Sequence, residues 1–295
     1  MRIVVALALA CLTGCGKDEV PEPTYALLMP ESDSSWAREI EAGFSAAAKQ
    51  FFMKTKTVRY SNEDPESIAE KVGDLDGGPV VVVTLSSDDA EQLAASLTAR
   101  KVRYVLIGPD DLAGSRAAHV SGAAWNLAYQ WKIRWNQMNP RPRNVLLLFG
   151  DVPLPKNDIV SAFYRRSNDW TEYRLRVRNV HDAKDEDTDW AETILAVGED
   201  AVRKCLSIEG QSFVPVDGSA TALQAVKSGL VERAYVPNYF QFGYRAARLA
   251  RDAFLDVLFS PVSLQIPFEE VDPEYLPMFL KKRHDIPSIG DAQTK

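Results

Sequence analysis

Residues Pro79 to Leu85 read PVVVVTL, a run of strand length that is apolar at odd and even positions alike. A strand with one wet face alternates, so a run apolar on both faces belongs inside a parallel sheet covered on both sides. Parallel neighbours cannot be joined by a tight turn; they need crossovers of a dozen or more residues, usually helices. The chain supplies them. Tyr25 to Met29 is an apolar run ended by Pro30, and a helical pattern follows from about Ala37 to Phe52, with Ile40, Phe44, Ala47, Ala48 and Phe51 on one face. Lys56 to Tyr60 and Val102 to Ile107 are further strands. Helices over Glu63–Val72 and from Ser86 to Ala99 separate them, the first with Asp64-Pro65 as an N-cap and N1 pair. This βαβαβαβ order predicts a doubly wound α/β sheet with crossovers on both faces.

A second series starts after the short strand His119–Gly122. The Trp-rich helix Ala123–Met138 is followed by strands at Val145–Phe149, Tyr173–Val180 and Ile194–Val197. The stretch from Phe213 to Ala250 is the most ordered pattern in the chain. Phe213-Val214-Pro215-Val216 is a strand stopped by Asp217-Gly218. A helix follows with Ser219 or Thr221 as N-cap and Gly229 just past its end, and Ala234-Tyr235-Val236 is broken by Pro237-Asn238. A long helix then carries Phe242, Ala246, Leu249, Ala250, Ala253 and Phe254 on one face. Val262–Phe268 is a candidate last strand, Pro273–Arg283 a helix or lid, and the residues after Pro287 a tail.

The spacing of Asp217-Gly218, Lys227-Ser228-Gly229 and Gly243, with Gly43-Phe44 in the first helix, resembles the type I periplasmic binding proteins, the ribose-binding group in particular. The resemblance covers about Tyr25 to Phe268. It implies two Rossmann-like lobes, three crossings between them and a ligand cleft at the carboxyl ends of the strands. By that analogy one lobe holds residues 25–121 and 237–262 and the other 122–236 and 263–286, with residues 287–295 as the tail. The crossings fall near Val120–Ala123, Val236–Asn238 and Ser263–Ile266.

At its start the chain reads as an envelope protein. Met1-Arg2 precedes an apolar run from Ile3 to Leu12, too short to span a bilayer and right for a signal-peptide core. Leu12-Thr13-Gly14-Cys15 resembles the lipobox of bacterial lipoproteins, which implies removal of residues 1–14, lipidation of Cys15 and a polar tether from residue 15 to 24. With Cys11 removed and Cys15 lipidated, only Cys205 remains, so no intramolecular disulfide is possible. The formal charge of −7 argues against nucleic acid or an acidic membrane surface as partner.

Enzyme signatures are absent: there is no phosphate loop, dinucleotide fingerprint, nucleophile elbow or zincin helix. His119, His181 and His284 lack metal-ligand spacing, the acidic run Asp182–Asp189 does not fit an EF-hand, and no cofactor is expected. The expected chemistry is therefore binding. The strand-tip candidates are Ser35 and Trp36, Asp110, Glu199, Asp217 and Asn238, with Trp36 stacking on a ligand and Asp217 accepting hydrogen bonds. Against the sugar-binding pattern the chain has Gly108-Pro109 for Asp-Arg, Gly122-Ala123-Ala124 for Ser-Asp-Asn, Ile159 near an arginine and Pro237 for a glutamine. The expected function is a lipid-anchored protein that captures a small polar ligand for a membrane transporter or sensor. The alternative is a lipoprotein that kept the fold, lost the ligand and serves as an interaction module.

Overall fold

The computed structural model describes residues 23–60, 65–73, 78–85, 87–109, 116–167, 173–258 and 261–284. The expected leader, the lipidation residue Cys15, the tether as far as residue 22, Asp110 and the tail lie outside the described residues.

The valine run does what its pattern requires. Strand β3 (Val80–Val83) lies between β1 (Thr24–Pro30) and β4 (Tyr104–Ile107), parallel to both, and all four valines are buried. Burial of a valine side chain contributes about 1.5–3 kcal/mol, so four on one strand anchor a sheet. With β2 (Lys54–Tyr60) and β5 (Ala118–Gly122) the sheet runs β5-β4-β3-β1-β2, and a strand from much later in the chain, β11 (Val262–Ile266), adds to β5. Side chains at alternate positions feed two cores. Val81 and Val83 face helices α1 (Ser35–Phe51) and α9 (Tyr239–Phe254). Val80 and Val82 face α2 (Pro65–Gly73) and α3 (Ser87–Ala99).

Helix α1 starts at Ser34, whose hydroxyl accepts from the Ala37 amide at 3.4 Å, and α9 starts at Asn238, whose side chain accepts from Gln241 at 3.1 Å. The two helices touch backbone to backbone. A Cβ on Gly43 would collide with the Phe240 carbonyl, and one on Gly243 with the Ile40 carbonyl, so each helix keeps a glycine where the other passes.

The second sheet runs β7-β6-β8-β9, all parallel, from β6 (Asn144–Phe149), β7 (Arg174–Asn179), β8 (Thr193–Val197) and β9 (Phe213–Val216). One face packs on α4 (Ala124–Gln137) and α5 (Lys156–Ser167). The other packs on α7 (Glu199–Leu206), α8 (Ala220–Lys227) and α10 (Leu276–His284), which bury Val202, Leu223, Val226 and Phe279. Short α6 (Asp185–Trp190) lies in the acidic run, and that run is not a uniformly solvated face. Asp187 is buried and meets Arg178 at 3.1 Å and Arg176 at 3.4 Å.

Two elements differ from the expectation. A strand of three residues, β12 (Glu269–Val271), pairs antiparallel with β10 (Ala234–Val236) and was not legible in the sequence. Strand β11 pairs with β5 along its whole length, from Val262–Ala118 to Ile266–Gly122. The expected boundary between residues 262 and 263 therefore cuts a strand, and the last crossing follows Ile266. Its hydrogen bonds carry it, because alternate residues of β11 are only partly covered and give a weak pattern.

The chain thus passes between sheets after Gly122, between Val236 and Tyr239, and between Ile266 and Glu269. One apolar cluster runs without a break from Leu27 and Val81 in the first sheet to Leu147 and Val197 in the second, by way of Trp36, Val152, Leu154, Tyr239 and Phe268.

Candidate functional site

In open parallel sheets ligands collect at the carboxyl ends of strands, where loops and helix amino termini leave polar groups. Here the strand tips of both lobes border the seam between them. From the first lobe come the β1–α1 loop with Ser35 and Trp36, Thr84 after β3, Gly108 after β4 and Ser121 at the end of β5. From the second come residues 151–154 after β6, Gly198-Glu199 after β8 and Asp217 after β9.

Trp36 is only 3 % exposed. Its indole Nε1 donates to the Asp151 carbonyl in the other lobe at 3.2 Å, so the residue expected to stack on a ligand pins the seam itself. Ser35, the first residue of α1, is half-buried. Glu199 accepts from Thr221 at 3.0 Å and from Arg203 at 2.7 Å. Asn238 caps α9 and also donates to Glu269 at 3.3 Å, joining the second crossing to the third. Asp110 lies outside the described residues.

Asp217 holds the turn after β9. Its Oδ2 accepts from the Ser219 amide at 3.0 Å, and Ser219 in turn caps α8. The carboxyl is 2 % exposed, and burial pushes its pKa above the usual range. Hydrogen bonds from Ser219 and Gly218 work the other way, while the charge of Glu199 adds to the rise. Tyr239, at the start of α9, lies close enough for the Asp217 charge to act on it: burial first and then that charge raise the phenol well above its ordinary value. The Tyr239 hydroxyl is nonetheless buried with no hydrogen-bond partner among the described residues.

Other hydroxyls share that condition. Tyr235 on β10 is one, and at the strand tips Thr84 Oγ1 and Ser121 Oγ are buried without partners among the described residues. Thr84 donates its amide to Ile107, and Gly108 donates its amide to Val120, which sets the three strand ends in a row. An unpaired buried polar group costs about 1–3 kcal/mol, a cost that a bound partner removes. These residues escaped the sequence reading because Thr84 and Ser121 look like the last positions of apolar strands. Tyr239 directly follows the candidate Asn238, but nothing in its spacing separates it from a core aromatic.

Positions aligned with the missing arginine and glutamine contribute no charge. Ile159 is fully buried in the core, and Pro237 lines a cavity of about 100 Å³ at the second crossing, walled by Glu39, Asn238, Phe240, Glu269 and Arg283. Cys205 is also buried, which lifts its thiol pKa to about 12. Among the described residues no three His, Cys, Asp or Glu side chains form a metal-binding group, and no helix is long and apolar enough to cross a membrane.

This arrangement has solved counterparts. A glucose-galactose binding protein from Geobacillus stearothermophilus superposes with a TM-score of 0.72 at 13% identity, over 87% of this chain and 99% of that one. A solute-binding protein of an ABC transporter from Burkholderia graminis, solved with D-arabinose, gives 0.72 at 12% identity over 86% and 96%. The chain has the fold of the type I periplasmic binding proteins. A putative LacI transcriptional regulator from Bacteroides fragilis shares it, with a TM-score of 0.69 at 11% identity over 87% and 99%. No protein-family model and no curated protein sequence matches the chain. In the type I fold the seam described above is the interlobe cleft.

Proposed function

We propose that this chain is a substrate-binding protein of the bacterial cell envelope that takes a small, hydroxyl-rich polar ligand between its lobes. Anchored by lipid on Cys15, it presents that ligand to a membrane transporter or sensor. What carries the reading is the set of buried hydroxyls of Thr84, Ser121 and Tyr239, at strand ends and at a crossing and without partners among the described residues, with the desolvated carboxylate of Asp217 beside Tyr239. Hydroxyls donate and accept, and a carboxylate accepts, so together they suit a ligand that does both. The glucose-galactose and D-arabinose proteins of the same fold support a sugar or related polyol as the first ligands to try. Trp36 supplies an apolar wall instead of a stacking face.

A second reading is that the fold is kept and ligand binding lost. The bond from Trp36 to Asp151 and the unbroken core across the seam favour it, because they close the cleft with the chain's own side chains. A thermal-shift screen over sugars, polyols, nucleosides, amino acids and polyamines separates the two. Ligand at 100 times its Kd stabilises by about 2.7 kcal/mol, a shift of several degrees. No rise with any of them, together with a cleft filled by the chain's own side chains, sinks the binding reading. For the anchor, Cys15→Ala is expected to move the protein from the membrane fraction to the soluble one; unchanged retention rejects lipidation there.

A further inference from the structure

Helix α10 belongs to the second lobe by its apolar face, where Leu276 and Phe279 are buried in the core under β9 and β10. Its last turn leaves that lobe. Arg283 forms an ion pair with Glu39, on the second turn of α1 in the first lobe, and donates to the Gly218 carbonyl of the second lobe at 2.5 Å. Both charged side chains are largely buried, at 13 % exposure for Arg283 and 8 % for Glu39. Burial draws the Arg283 pKa down to about 10, which leaves the guanidinium charged at neutral pH.

The same helix reaches the hinge that the second and third crossings would form. Lys282 donates to the Tyr275 hydroxyl at 2.5 Å, Tyr275 donates to Glu269 at 3.2 Å just after the third crossing, and Glu269 accepts from Asn238 in the second. The cavity of about 100 Å³ lies among these groups, so the hinge is not packed solid.

We propose that α10 is a strap across the seam, with Arg283 as its hook and Glu39 as its catch, and that it adds to the Trp36–Asp151 bond and the apolar contacts in holding the lobes closed without a ligand. An ion pair within one lobe leaves a stranded charge when it breaks. This pair straddles two bodies, so opening returns both charges to water and offsets much of the lost attraction. Such a contact can be both buried and reversible. Gly218 adjoins Asp217, so the hook ends one residue from the proposed ligand contact; a consequence for ligand exchange rests on the binding function proposed above, whereas the strap does not.

The test measures the interlobe distance without ligand. Spin labels on Lys49→Cys in the first lobe and Glu209→Cys in the second, both exposed positions, are introduced in a background carrying Cys11→Ser and Cys15→Ser, native Cys205 being buried. Pulsed electron resonance is expected to give one short distance population for the parent. Arg283→Ala and Glu39→Gln should each add a longer one, and the swap Glu39→Arg with Arg283→Glu should restore the short one. Lys282→Ala, which leaves the pair intact, should shift the distribution less than Arg283→Ala. Should Arg283→Ala fail to fold, Glu39→Gln, which removes only a charge, decides. A folded Glu39→Gln protein with an unchanged distance distribution overturns the strap, whatever the ligand screen finds.

Discussion

Asp217 is buried at a cost to the fold. Its folded-state pKa lies above the ordinary value of about 3.9, so the folded chain holds that proton more tightly than the unfolded chain does. The stability this confers is fully present below the unfolded value and is lost as pH rises through the folded one. Asp217→Asn keeps an acceptor for the Ser219 amide and removes the charge. It should melt at a higher temperature than the parent at pH 7, with the gap closing as pH falls toward 4; a lower melting temperature at pH 7 contradicts this account. Trp36 behaves oppositely. Trp36→Ala should cost about 3–5 kcal/mol in chemical denaturation as a core cavity. Trp36→Phe, which loses mainly the bond to Asp151, should cost about 1 kcal/mol for the hydrogen bond. Asp217 and Trp36 were both visible in the sequence as strand-tip residues. That one is desolvated and the other absorbed into the core was not, because burial depends on what the opposite lobe brings.

At the scale of elements, two of the glycines quoted for the family resemblance have a mechanical cause. Gly43 and Gly243 lie where α1 and α9 cross, and each faces the other helix's carbonyl. Alanine at either site puts a methyl group into backbone, which cannot rotate away. Each substitution should cost more than about 4 kcal/mol, beyond the usual range for point changes. A loss under about 1 kcal/mol by denaturant titration would mean that the helices are not in contact there. Long elements with a strong pattern were legible: the valine strand, the Ser219 cap, and α9 with its apolar face. The weak ones were not. β12 has three residues, and only its pairing with β10 makes it a strand. The end of β11 is set by β5, not by its own residues.

At the scale of the whole molecule, the parallel sheets followed from the order of elements, because right-handed crossovers leave few ways to arrange such a chain. The turning of their strand tips toward a common seam was implied by the family resemblance. The ligand did not follow. Polar residues at the tips mostly serve the fold: Ser34, Asn238 and Ser219 cap helices, and Glu199 holds Thr221 and Arg203. The unpartnered hydroxyls are identifiable only once three dimensions show which polar atoms lack partners. Tyr239→Phe tests them most directly, because the two outcomes move in opposite directions. Without ligand the variant should be as stable as the parent or more so, since it loses an unpaired buried hydroxyl. With the strongest ligand from the screen, titration calorimetry should show a Kd raised about tenfold, the loss of one hydrogen bond of about 1.4 kcal/mol. An unchanged Kd in a stable Tyr239→Phe protein would contradict a ligand held between the lobes at this site.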